Sequence, residues 1–462
     1  MRNSRYILAV ILCLAISTVR AQTFDSAKYS FSSPLASELS KRNFPVATTK
    51  IMAANVVPFS VNYFIRRVPF SFVSARSIAN NLTISGWQWD EDKFFNNQFS
   101  HPYHGSFYFN SFRSEGYTFS QSALATFGGS LLWEIAGERD KAAPNDLINT
   151  TLGGIAWGEM SHRLAMRFTH NSRTGRRKNA LDILGIALDP MAGLSGLVSK
   201  KQFKAQKGVF DTTSIKLELS SGGRQYSTEA DNENQKTRGE WFTRINFVYG
   251  APNCAIKVPF GYFTVLLELS ASDSTLLNIA RIRGNLTGWQ LRQSYSNSHS
   301  LLLMLNYDYY HNTAFSYGMQ SVQLALNSHF ELPWKTTLKT EYGTSVIGLA
   351  AISDKELFEG KKRDYDYCTG TGLAAAANLL VDSRLNLRTN LSFGWLHTLD
   401  GKDANYRVFN SIIALRCYYL IKNVFLEYER GNFRLTSVYA DNYEKVKENV
   451  YKRLSLGYQF RF

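Results

Sequence analysis

Val450-Tyr451-Lys452-Arg453-Leu454-Ser455-Leu456-Gly457-Tyr458-Gln459-Phe460-Arg461-Phe462 ends the chain, and its reading decides the fold. Successive side chains of an extended strand point to opposite sides. Leu454, Leu456, Tyr458, Phe460 and Phe462 therefore share one face, and Arg453, Ser455, Gly457, Gln459 and Arg461 share the other. One face suits an apolar medium and the other a polar one.

The same pattern recurs upstream. From about residue 205 onward, twelve strand candidates lie near 209–220, 238–250, 260–271, 277–292, 300–313, 318–331, 336–350, 365–381, 385–398, 405–420, 424–438 and 448–462. Leu385, Leu387, Leu391, Phe393 and Trp395 oppose Asn386, Arg388, Asn390, Ser392 and Gly394; Leu303, Leu305, Tyr307 and Tyr309 oppose Asn306, Asp308 and Tyr310. A soluble sandwich also alternates, but its strands average about 5–6 residues, whereas these run about 11–16 in unbroken succession. The expectation is an all-β transmembrane barrel of about 12 antiparallel strands over 205–462.

The other end agrees. Arg2 and Arg5 precede an apolar stretch, Ile7 to Ile16, then Val19-Arg20-Ala21 before Gln22, which reads as a cleaved signal peptide over 1–21. Cys13 follows Leu12 rather than a small residue, so a lipoprotein anchor is not expected. No later segment offers 18 uninterrupted apolar residues, which argues against an inner-membrane helical protein. The 25 Tyr and 31 Phe suit a barrel whose rims carry aromatic girdles. Net charge is +15, and removing Arg2, Arg5 and Arg20 leaves +12. In an exported chain that balance points to lumen arginines and anionic lipid headgroups rather than nucleic acid. Cys254, Cys368 and Cys417 are scattered, without the spacing of a metal knuckle or a disulfide framework.

Residues 86–204 differ in kind. Ser120–Glu138 and Asp146–His170 carry apolar residues at helical spacing, and Leu181–Lys200 reads as a helix broken at Pro190. Residues 22–85 form a leader or strap in which Val56–Phe72 is either a strand or a strap. The helices are too short to span a bilayer, so the block is expected as a plug inside the barrel or a periplasmic cap. Gly154 and Gly158 stand four apart, the spacing of close helix pairs. Ionisable groups on such helices need partners. The candidates for plug pairing or function are His101, His104, Arg113, Glu134, Asp146, Glu159 and Arg163. Asp146 is expected to cap a helix after Pro144, and Glu159 and Arg163, at i and i+4, are expected to pair. His101 and His104 lack a metal-ligand pattern, so neither metal nor cofactor is expected.

Several words of this chain resemble known families. The aromatic closing strand is similar to those of bacterial outer-membrane barrels, which implies recognition of Phe462 by the barrel-assembly machinery. Trp87-Gln88-Trp89-Asp90-Glu91-Asp92, Asn97-Gln98-Phe99, His101-Pro102-Tyr103-His104-Gly105, Arg113, Gly129-Ser130-Leu131-Leu132-Trp133-Glu134, Asn145-Asp146 and Gly153-Gly154 through Gly158-Glu159 to Arg163-Leu164 resemble the exported bacterial family called domain of unknown function 3943. That resemblance covers about residues 85–200 and implies a Gram-negative exported protein, with no activity attached. Ala143-Pro144 stands where the family has Pro-Ser, a departure confined to a loop. The outer-membrane phospholipase family has His and Ser two apart followed by Asn-Gly; here His104-Gly105-Ser106 is followed by Phe107-Tyr108.

The expected role is a plugged outer-membrane conduit for solute or lipid, in contact with outer-membrane lipids and lipopolysaccharide. The alternatives are an envelope enzyme acting on lipid or polymer, or a structural or adhesive barrel. Convergence of His101, Glu134, Asp146 and Glu159 would favour the enzyme, and pairing of each acid with an arginine a structural role.

Overall fold

The computed structural model describes residues 42–169, 175–199, 213–228, 237–252, 256–270, 276–312, 315–353, 363–401, 404–419, 423–440 and 443–461. Residues 1–21, expected as a signal peptide, and Phe462 lie outside the described residues. The alternating segments form β1 (Ile215–Thr228), β2 (Thr237–Tyr249), β3 (Phe263–Ser270), β4 (Leu277–Gln293), β5 (Asn297–His311), β6 (Ser316–Leu332), β7 (Thr336–Ile352), β8 (Asp366–Val381), β9 (Leu385–Asp400), β10 (Ala404–Tyr418), β11 (Val424–Tyr439) and β12 (Glu444–Arg461). Each pairs antiparallel with its sequence neighbour, and β12 returns to β1 with Arg461 opposite Lys216, closing the barrel. Two hairpins turn through consecutive left-handed residues, Trp334-Lys335 and Asp382-Ser383, the geometry that matches strand twist.

The first strand sits later than the expected 209–220. Gly222-Gly223 reads as a turn in sequence, yet β1 runs through it, because a Cβ at Gly222 would overlap the Leu454 carbonyl of β12. Closure there needs a residue without a side chain.

Ahead of the barrel stand α1 (Phe44–Ser60), α2 (Ala75–Asn81), α3 (His101–Arg113), α4 (Phe119–Ala136), α5 (Pro144–Ile148), α6 (Gly154–Thr169), α7 (Gly175–Leu188) and α8 (Pro190–Ser199). Val56–Phe72 is thus mostly helical, since α1 runs on into a π-helical turn, Val61–Arg66. Two further π-helical turns, Asn96–Ser100 and Asn149–Gly153, lead into α3 and α6. Thr118 caps α4 in a reciprocal pair with Gln121. Pro190 ends α7 as expected and opens α8, where the Asp189 carboxylate accepts from the Ala192 amide at 2.9 Å.

Helices α3 and α6 cross at glycines. A Cβ on Gly105 would overlap the Thr150 carbonyl, and one on Gly154 would stand 2.6 Å from Gly105 Cα. Gly158 joins the same contact one turn on, as its spacing predicts: a Cβ there would stand 2.7 Å from Phe109 Cβ of α3.

Strand alternation then fixes where the block sits. On β4, Arg281 and Arg283 line a lumen cavity, whereas Ala280 and Ile282 join a core cluster with Ile155 and Trp157 of α6. On β5, Asn306 and Asp308 face the lumen while Leu305, Tyr307 and Tyr309 pack with the helices. Leu349 and Ala351 of β7 and Tyr367 of β8 belong to the same cluster. The helical block therefore packs on the outer wall of the barrel, and the expected placement as a lumen plug or periplasmic cap is corrected. The lumen faces carry charge around the larger cavity and an apolar cluster that includes Ile347, Val408 and Phe433 beside the smaller one, while the outward faces of β4–β8 carry the aromatic and aliphatic surface that the helices complement. Tyr307 donates from its hydroxyl to the Gln98 carbonyl at 2.6 Å, Arg363 reaches the Asp90 carbonyl at 3.2 Å, and the Phe94 and Tyr309 rings lie 5.8 Å apart.

Gly105→Val is expected to force α3 off α6 and lower the stability of the block by about 3 kcal/mol, the scale of overpacking a tight contact. Urea unfolding followed by near-UV and far-UV circular dichroism checks this, with the β-sheet transition unchanged.

Candidate functional site

Two centres of charge lie in the block and a third in the lumen. In the first, Arg113 grips Glu159 in a bidentate pair, Nε to Oε2 at 2.7 Å and Nη2 to Oε1 at 3.1 Å. Arg163 donates from Nε to Glu159 Oε1 at 2.8 Å, the expected i,i+4 pair, and from Nη2 to the Pro259 carbonyl at 2.6 Å. Burial would push the Glu159 carboxyl upward, but Arg113 and Arg163 outweigh it and hold the group below its ordinary value. His162, one turn from Glu159, turns instead to Asp189, with 2.8 Å between Nδ1 and Oδ2.

The second centre gathers His101, Asp146 and Glu134. His101 Nε2 stands 3.8 Å from Asp146 Oδ1, and its Nδ1 is 3.4 Å from Thr150 Oγ1. Asp146 does not cap the helix: Ala143 is the N-cap, Pro144 takes the first turn, and Asp146 Oδ1 accepts from Asn145 Nδ2 at 2.7 Å. Proline pre-set for the first helical position moves the helix start ahead of Asp146. Glu134 accepts the Ala143 amide at 2.8 Å. Burial, then the neighbouring Asp146 carboxyl, raises Glu134 well above the usual carboxylate range; burial, then Asp90, does the same to Asp146. His104 diverges from this group. Its Nε2 meets the Ala54 carbonyl at 2.8 Å, and burial brings its imidazole down to about 4, so it is neutral at pH 7.

Of the seven sequence candidates, the structure thus brings His101, Glu134 and Asp146 together, joins Arg113, Glu159 and Arg163 elsewhere, and leaves His104 alone. Asp90, Asn97, Tyr365 and Tyr367 were missed. Asn97 Nδ2 contacts Asp90 Oδ2 at 2.9 Å, Tyr365 OH at 2.8 Å and Tyr367 OH at 2.7 Å, tying the His101 region to β8. The two tyrosines are 268 and 270 residues from Asn97 in sequence, so spacing carries no signal for them.

The third centre fills the barrel. A cavity of about 410 Å³ is lined from all twelve strands, and one of about 120 Å³ lies beside it. At its side, Glu268 of β3 receives Arg244 Nη2 and Arg453 Nη1, each at 2.8 Å, and pairs also with Arg224. Arg224 Nη2 meets Glu240 at 2.6 Å, and Glu429 takes Arg244 at 3.3 Å, Tyr451 OH at 3.0 Å and Arg453. A second group joins Arg416 to Glu218 at 2.7 Å and to Glu427 at 2.6 Å, with Arg388 also on Glu427. The polar faces of the strands announced such residues one by one; only the register paired them.

Residues 86–191 match the family described as Domain of unknown function (DUF3943). A search of curated proteins gives no match. Among solved structures, the chain is similar to the NanC porin at 8% identity and a TM-score of 0.29, covering 52% of this chain and 98% of that one. An outer membrane channel from Pseudomonas putida F1 is similar at 10% identity and a TM-score of 0.30, with 54% and 95% covered. The outer membrane channel DcaP of Acinetobacter baumannii shows 10% identity and a TM-score of 0.26, with 54% and 98% covered.

Two outcomes are expected. Glu159→Ala strands two buried guanidinium groups and should destabilise the block by about 3–5 kcal/mol, read by urea titration of the folded protein. For Glu134, raised in the folded state, the sign runs the other way from a salt-bridged acid. Below its ordinary value of 4.5 both folded and unfolded states hold the proton, and as pH rises beyond that the unfolded state ionises first. Wild type should therefore lose stability between pH 4.5 and 7, and Glu134→Gln, which keeps the acceptor, should lose less over that window.

Proposed function

We propose that this protein is an outer-membrane conduit for water-soluble solutes, closed at rest by charged side chains of its own strands. The observation that carries the reading is the cluster of Arg224, Glu240, Glu268, Arg244, Glu429 and Arg453 on one side of the larger lumen cavity. A lumen lined with balanced ion pairs is costly in a wall built only for strength. Desolvating paired charges gives little net stability, and apolar filling would serve as well or better. A charged stretch of lumen wall instead suits passage of polar solutes, and a cluster of paired charges can rearrange between two states.

The outer-membrane placement is supported by the exposed apolar side chains outside β9–β12, among them Leu415, Leu426, Leu454 and Leu456, which lipid would cover. Three-residue turns at 294–296, 333–335 and 382–384 gather at the end where β1 begins and β12 finishes, which is the periplasmic end in such barrels. Export by cleavage of residues 1–21, insertion through the assembly machinery at Phe462, and contact with lipopolysaccharide belong to the same reading. So does the division into a leader over 22–85, a helical unit over 86–204 and a barrel over 205–462.

Single-channel conductance of the refolded mature protein in planar bilayers tests it. Wild type should be closed or weakly conducting. Glu268→Ala leaves Arg224, Arg244 and Arg453 repelling one another and should raise conductance severalfold with a preference for anions. Silence from both forms, with folding verified, would overturn the conduit.

A further inference from the structure

Two helices of the block, α1 and α4, are arranged inside out. On α4, Ser122, Thr126, Ser130 and Glu134 recur at intervals of four and are all buried, while Leu124 and Phe127 are exposed. Leu124 keeps 71% of its surface open. On α1, Lys50 and Asn55 point inward. Lys50 Nζ reaches Ser114 Oγ at 2.9 Å and the Glu115 carboxylate, and Asn55 Oδ1 accepts from Tyr108 OH at 3.0 Å. The outward side of α1 carries Phe44, Met52, Val56 and Val57, and the π-helical turn after it adds Phe64 and Ile65. The buried polar pairs of the block, Arg113 with Glu159 and His162 with Asp189, lie at its centre. In water the apolar stripe of a helix turns inward and the polar one outward. The reverse belongs to helices whose surroundings are hydrocarbon, where small and polar residues face neighbouring helices.

The place of the block supplies a second, independent observation. It packs against the outward faces of β4–β8, the side of the barrel wall that meets lipid, so its exposed apolar surface continues the wall's own. Among the described residues, no helix is long and apolar enough to cross a membrane. Exposed Arg66 and Arg67 end the apolar run of α1 and its π-helical turn, where anionic headgroups can meet them.

We propose that the helical block is immersed, without spanning, in the bilayer hydrocarbon beside β4–β8, with lipid acyl chains covering α1 and α4. This rests on the membrane placement of the barrel and is independent of its being a conduit. Lys50, Arg113 and Glu159, turned inward, find partners within the block, which is what immersion requires of them.

The test uses the full mature chain with native cysteines replaced by serine and a single bimane label at Val57→Cys or Leu124→Cys. Controls carry the label at Leu415→Cys on the barrel wall and Arg384→Cys at a hairpin end. Each is reconstituted in phosphatidylcholine vesicles with plain or dibrominated acyl chains. Quenching by bromolipid at Val57 and Leu124 should match that at Leu415 and exceed that at Arg384 severalfold. Labels at Val57 and Leu124 that behave like Arg384, while Leu415 is quenched, would overturn immersion and leave the barrel in the membrane. Labels shielded from both bromolipid and aqueous iodide would mean that a protein surface or a second copy covers the block, which also overturns it. An unquenched Leu415 would remove the membrane placement on which the inference stands.

Discussion

Everything in this molecule depends on the two-sidedness of a strand in a closed sheet. Once β12 pairs with β1, every second side chain of twelve strands must enter the lumen and every other one must leave it. A one-residue slip would exchange the two populations, bringing Tyr307 and Tyr309 into the lumen and turning Asn306 and Asp308 toward the apolar face of the helical block. The register is therefore held as firmly by what each side tolerates as by the ladder bonds themselves.

The two sides then recruit different chemistry. Inside, Arg and Glu from neighbouring and distant strands satisfy one another, so that Glu268 of β3 bridges Arg453 of β12 and Arg224 of β1. Outside, the wall offers either exposed aliphatic surface, as at Leu415, Leu426, Leu454 and Leu456, or the aromatic patch on β4–β8 to which the helices attach. The attachment is not purely apolar. Tyr307, Tyr365 and Tyr367 present hydroxyls to the Gln98 carbonyl and the Asn97 amide, giving direction to a surface that packing alone would let slide.

Within the block, the glycine crossing of α3 and α6 and the Arg113–Glu159–Arg163 cluster are two aspects of one contact. The glycines let the backbones approach, and the approach places Arg113 on α3 within bidentate reach of Glu159 on α6. Burial makes the cluster all or nothing, because removing one partner leaves charge with neither water nor counter-ion. The His101–Asp146–Glu134 group shows the opposite solution, in which carboxyls without an arginine are held toward their protonated forms.

By itself the sequence determined the strands, their approximate number, the helices between 119 and 199 and the break at Pro190, because each rests on local periodicity or on the geometry of a single residue; the helices over Phe44–Ser60 and His101–Arg113 it did not announce. It also determined the Glu159–Arg163 pair, whose spacing of four is a property of one helix. The end of β1 was hidden by Gly222-Gly223, since glycine signals a turn locally and close strand approach only when β12 is in place. Asp146 read as a cap because its position relative to Ala143 is set by where Pro144 starts the helix. The tertiary structure alone decided which residues meet across strands, which of the seven candidates share a centre, and on which side of the wall the helices lie. Those outcomes depend on register and closure, which relate residues hundreds of positions apart and leave no mark in local spacing.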